Sequence, residues 1–106
     1  MKATLAALRT TAEGKGQELL LLTAEFSQEG DRWVAVCQEL GTSSYGTDFE
    51  DAKQQLEEAV LLQLNEVKRL GFSNAYLEEH GVKPIQIPSH KGKKPSDQWD
   101  LTPLVV

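Results

Sequence analysis

The chain has 106 residues, of which 40% are apolar and 25% charged, and a formal net charge of −5; it is long enough to close one modest core and too short for two. This near-average composition excludes disorder along the whole length. With a single cysteine, Cys37, an internal disulfide is excluded, and no apolar run has the length of a membrane-spanning helix, so a cytoplasmic location is expected.

Residues 1–17 hold no sustained period, and the cluster Glu13-Gly14-Lys15-Gly16 has the chemistry of a flexible connection, so these residues are expected as a mobile N-terminal arm. From Glu18 to Ser27, Leu20, Leu22, Ala24 and Phe26 alternate with Leu19, Leu21, Thr23 and Glu25, which is the period of a strand. Gln28 to Asp31 are turn formers around Gly30. In Arg32 to Gln38, Val34 and Val36 then alternate with Trp33, Ala35 and Cys37. Two apolar runs about a glycine-bearing turn make a hairpin, and Cys37 reads as a small buried hydrophobe within it. After the break at Gly41 to Ser44, residues 44–46 are short enough for a third, edge strand.

The next element is a helix. Thr47 and Asp48 are N-cap residue types, Glu50 and Asp51 put negative charge in the first turn, and Lys68 and Arg69 put positive charge in the last, as the helix dipole favours. Phe49, Ala52, Leu56, Ala59, Val60, Leu64, Val67 and Leu70 share one stripe, and Gly71 supplies the stop. Leu61 and Leu62 fall outside that stripe, among Glu57, Glu58, Asn65 and Glu66, and form an apolar spot for a second surface. Residues 74–80 have room for one or two helical turns closed by Gly81, with His80 as a C-terminal capping side chain. Residues 82–87 read as a last strand that Pro84 confines to an edge. From Ser89 to Gln98 no hydrophobic residue occurs, which is linker chemistry; Trp99, Leu101, Leu104 and Val105 then form an apolar end able to dock back on the domain or on a neighbouring subunit. The expected division is an arm over 1–17, a domain over 18–87 and a tail over 88–106.

Charge is unevenly spread. Between Glu18 and Val82 there are thirteen acidic residues and four basic ones, and such a body repels phosphate backbones while favouring basic partners. Nucleic-acid contact, if made, falls to Lys91, Lys93 and Lys94 in the tail. The glycines match neither a phosphate loop nor a dinucleotide turn. The two histidines and one cysteine lie too far apart in sequence for a recognisable metal-ligand spacing. A metal-dependent nuclease of the ribonuclease H type would need converging carboxylates, with Glu25 and Asp48 as candidates; capping already explains Asp48, Glu50 and Asp51. Neither catalysis, cofactor nor metal is expected.

The segments Gly30-Asp31-Arg32-Trp33-Val34-Ala35-Val36, Glu39-Leu40-Gly41, Ser44-Tyr45-Gly46 and Asp48-Phe49-Glu50-Asp51-Ala52, in this order, resemble the signature of HicB-like proteins over roughly residues 19–70, with a weaker continuation to residue 87. The resemblance implies a β-β-β-α-β arrangement, a partial ribonuclease H fold without its catalytic acids: an α+β domain of a three-stranded antiparallel meander, one long helix and a short fourth edge strand. It also implies an antitoxin that occludes a small RNA-cleaving toxin, HicA, of double-stranded-RNA-binding-like fold. Many members carry a proline where this chain has Gln38, and many carry a fused helix-turn-helix or ribbon-helix-helix segment. The last eighteen residues are too short and irregular for either segment, so direct DNA binding is not expected. The resulting expectation is a non-catalytic module that self-associates, as a dimer or higher oligomer, and binds a small basic toxin-like protein. Trp33 and Tyr45, on strands whose facing the sequence leaves open, join Leu61 and Leu62 as candidate partner-binding residues.

Overall fold

A computed structural model of the chain describes residues 1–10, 16–88 and 98–101, together with the backbone but not the side chains of Thr10 and Pro88. The longest strand organises everything else. Residues Gly16–Glu29 form β2, fourteen residues of extended chain, flanked by β1 (Lys2–Thr10), β3 (Arg32–Cys37) and β4 (Ser43–Gly46). The long helix α1 spans Phe49–Arg69 and a short one, α2, spans Ser73–Glu79. The last two strands are β5 (Ile85–Pro88) and β6 (Asp100–Leu101). The sheet runs β4-β3-β2-β1-β6, with β5 also on β2, and every strand pair among the described residues is antiparallel. The mixed α+β class expected from the sequence is the class observed.

Residues 1–17 are not the expected free arm over Lys2–Thr10. These residues pair with β2 along their full length, from Lys2 opposite Glu25 to Thr10 opposite Gln17, and Met1 continues the ladder through reciprocal backbone hydrogen bonds with Phe26. The other edge of β2 is shared: β3 takes Ala24 to Glu29 and β5 takes Gly16 to Leu19. The tail also returns, since β6 pairs with Ala7 and Leu8 of β1. The domain therefore extends beyond 18–87 on both sides. Pro84 precedes β5 and removes no ladder donor from it.

Alternation assigns the two faces of the sheet. Leu5 and Ala7 of β1, Leu20, Leu22, Ala24 and Phe26 of β2, and Ala35 and Cys37 of β3 meet Ala52, Leu56, Val60 and Leu64 of α1 in one core, joined by Leu77, Val82 and Trp99. The helix reaches the sheet at very close range over β4. A Cβ built on Gly46 would lie 2.2 Å from the Ala52 backbone nitrogen, so only glycine lets the first turn sit there. At the helix start Asp48 is the N-cap, its carboxylate accepting from Asp51 N–H at 2.8 Å. The Asp51 carboxylate accepts in turn from Thr47 N–H at 2.9 Å, one residue before the cap, which ties the approach to the first turn. Gly30, at φ 60°, makes the β2-β3 turn that a side chain would strain.

Candidate partner-binding surface

The solvent side of α1 carries a narrow stripe at helical spacing: Glu50, Gln54, Glu58, Leu62, Glu66 and Arg69 are all exposed. Buried Ala52, Leu56, Val60 and Leu64 lie on the opposite side. Leu62 is 73% exposed and has glutamates one turn before and one turn after it. Glu66 is held by Arg69 through hydrogen bonds of 2.6 and 3.1 Å. Hydrogen bonding by the guanidinium keeps the Glu66 carboxyl below its ordinary range. Leu61 turns the other way and packs against the core.

The register separates Trp33 from Tyr45. Trp33 opposes Gly46 on the helix side, its ring edge-on to Phe49 at 5.8 Å, and Phe49 in turn meets Phe26 at 4.6 Å. Tyr45 opposes Val34 on the far face, 53% exposed, with the Arg32 guanidinium 4.5 Å from its ring centre. Of the four candidate partner-binding residues, Trp33 and Leu61 thus support the core, Leu62 stands on the helix and Tyr45 on the reverse of the sheet. They do not form one patch. Lys91, Lys93 and Lys94, the candidate nucleic-acid contacts, lie outside the described residues.

The nuclease candidates have structural partners instead. Asp48 caps α1, and the Glu25 carboxylate accepts from the Gln38 side-chain amide. Among the described residues no group of three or more histidine, cysteine and acidic side chains is placed to hold a metal ion, and no helix is long and apolar enough to cross a membrane.

A polar seam that the sequence did not disclose lies where β2 is left between β3 and β5. At Thr23, Gln38 N–H donates to the strand carbonyl at 2.9 Å. The Glu39 carboxylate accepts from the Thr23 amide at 2.7 Å and from its hydroxyl at 3.0 Å. This loop acid stands in for a missing strand partner. The Glu39 carbonyl accepts from His80 Nδ1 at 3.1 Å, so His80, although the C-cap residue of α2, directs its ring to the loop rather than capping its own helix. That ring rests on Tyr76 at 4.5 Å; the Tyr76 hydroxyl accepts from the Gln63 amide, whose oxygen accepts from Thr42. Burial raises the phenol's pKa, with nearby Cys37 adding to it. Burial likewise pushes the Cys37 thiol up, opposed in part by backbone hydrogen bonds from Leu40 and Glu39, and such a thiol is a poor nucleophile. The only sequence sign of this seam was an isolated acid in a loop after a strand.

Comparison of the chain with protein-family models, curated proteins and solved structures finds no match.

Proposed function

We propose that this chain is a HicB-like antitoxin module that binds and neutralises a small basic RNA-cleaving protein and performs no catalysis of its own. The observation that carries the reading is Leu62, an exposed apolar side chain set between Glu58 and Glu66 on the solvent stripe of α1. An apolar anchor flanked by two glutamates, Glu66 being paired with Arg69, suits a basic surface with one apolar recess, because charge steers the encounter while the desolvated centre supplies affinity. Two positions of the resembling motifs have matching structural uses: Gly46 admits the helix and Asp48 caps it. An antiparallel run β2-β3-β4 ahead of the long helix α1 supports the reading, while β1, α2 and β6 lie outside the arrangement that the resemblance implies.

The direct test is isolation of the tagged chain from its own host with mass-spectrometric identification of what accompanies it. The expected companion is one small basic protein, in fixed ratio, that cleaves RNA when freed and not when bound. Recovery of no such protein, or of one that cleaves equally well in the complex, overturns the reading. The folded triple variant Glu58→Lys, Leu62→Glu, Glu66→Lys is expected to lose the companion.

A further inference from the structure

Between α2 and the chain that leads into β5 lies a cleft of about 300 Å³, at the lower end of the range for small-molecule sites. The end of α2 creates it. After the C-cap His80, Gly81 takes φ 70°; its N–H donates to the Glu78 carbonyl at 3.0 Å, and that of Val82 to the Leu77 carbonyl at 2.8 Å. This is the Schellman ending of a helix, in which a left-handed glycine turns the chain back. One wall is therefore α2, with Asn74, Leu77 and Glu78, and the other is Val82, Lys83 and Pro84. Leu77 and Val82 are buried and make an apolar floor, whereas Asn74, Glu78 and Lys83 are exposed at the mouth. Among the described residues, neither the Glu78 carboxylate nor the Lys83 ammonium makes an ion pair or a side-chain hydrogen bond. The Asn74 amide is likewise unused, and it stands one helical turn before Glu78 on the same face.

We infer that this cleft binds a small zwitterion with an apolar body, the chemistry of a free apolar amino acid. The ligand's ammonium donates to the Glu78 carboxylate and the Asn74 amide oxygen, its carboxylate accepts from Lys83, and its side chain rests on Leu77, Val82 and Pro84. A ligand of one sign gains at one wall and is repelled at the other, while a ligand of both signs gains at each. Charge contacts at exposed positions are weak, so the apolar side chain supplies most of the affinity. The polar groups select the occupant. The cleft shares no residue with the α1 stripe, so this binding stands apart from the antitoxin reading.

Titration of the purified full chain with phenylalanine and, separately, leucine, followed by amide chemical shifts, tests the site. Saturable shifts are expected at Leu77, Glu78, Gly81 and Val82, with half-saturation at or below about 10 mM. Phenethylamine, which lacks the carboxylate, and hydrocinnamate, which lacks the ammonium, are each expected to bind at least about threefold more weakly than phenylalanine. Glycine, without an apolar body, should not bind measurably. Lys83→Met should weaken phenylalanine and hydrocinnamate and leave phenethylamine unchanged; Glu78→Gln should weaken phenylalanine and phenethylamine and leave hydrocinnamate unchanged. Both residues are exposed, so both variants keep the fold. No saturation at the cleft by either amino acid below about 50 mM overturns the inference. So does equal binding of phenylalanine, phenethylamine and hydrocinnamate, or an affinity for phenylalanine unaltered in both variants.

Discussion

Asn65 holds the backbone of Trp99 at both ends: its Oδ1 accepts from Trp99 N–H at 2.7 Å and its Nδ2 donates to the Trp99 carbonyl at 3.1 Å. One side chain on α1 therefore does for an irregular segment what a neighbouring strand would do. The indole that it fixes is 1% exposed, with the Arg9 guanidinium 5.6 Å from its ring centre. Replacement Asn65→Ala removes two hydrogen bonds and is expected to cost about 2 kcal/mol. Urea unfolding would measure that loss, and a red shift of tryptophan emission with easier quenching would show the indole leaving the core.

Gly46→Ala is expected to destabilise by roughly 1–3 kcal/mol, the usual range for overpacking a site that cannot yield. The obstructing atoms belong to the backbone of α1 at Asp51 and Ala52, which cannot rotate aside as a side chain would. The thermal midpoint should drop by several degrees, and an unchanged midpoint would mean that the helix sits farther from β4 than described.

The Cys37 thiol should be inert in the native protein. It is fully buried with its pKa raised by that burial, so a disulfide reagent at pH 8 should react only as fast as the fold opens. Addition of denaturant should release one equivalent of thiol at once. Rapid labelling without denaturant would contradict this placement.

Acid should weaken the start of α1 through Asp51. Hydrogen bonding by Thr47, chiefly through its backbone amide, lowers the carboxyl's pKa. A group depressed in the folded state contributes stability above its unfolded pKa and loses it as pH falls through the folded value. Asp51→Asn should therefore lower stability at pH 7 and leave it nearly unchanged near pH 2, a difference read from unfolding curves at the two pH values.

Leu56 and Leu62 differ by six residues on one helix and should differ sharply in cost. Leu56→Ala empties a fully buried site and is expected to cost about 2–5 kcal/mol. Leu62→Ala, on the solvent stripe, should stay within about 0.5 kcal/mol. Chemical denaturation of the two variants side by side checks the assignment of the helix faces.

The hairpin and α1 were legible because their signals are local: alternation around Gly30, caps at Asp48, a stripe of every third or fourth residue. Leu62 was found the same way, as a residue off its stripe. β1 was not legible, since Ala3, Ala6 and Ala7 carry weak strand preference and its extended form comes from nine cross-strand partners on β2. Trp99 follows a stretch of linker composition, and its anchor lies 34 positions earlier, beyond any local pattern. The split between Trp33 and Tyr45 needed the pairing of β3 with β4, because a shift of one residue reverses every side chain. Glu39 carried no readable role until Thr23 was seen with an open strand edge beside it.

The clasp on Trp99 also sets a timetable for the nascent chain. At synthesis rates of about 5–20 residues per second, the 34-residue separation from Asn65 means that α1 emerges some two to seven seconds before the indole that completes its packing. Throughout that interval the core lacks its Trp99 member, and the unfinished chain exposes apolar surface that the complete one covers.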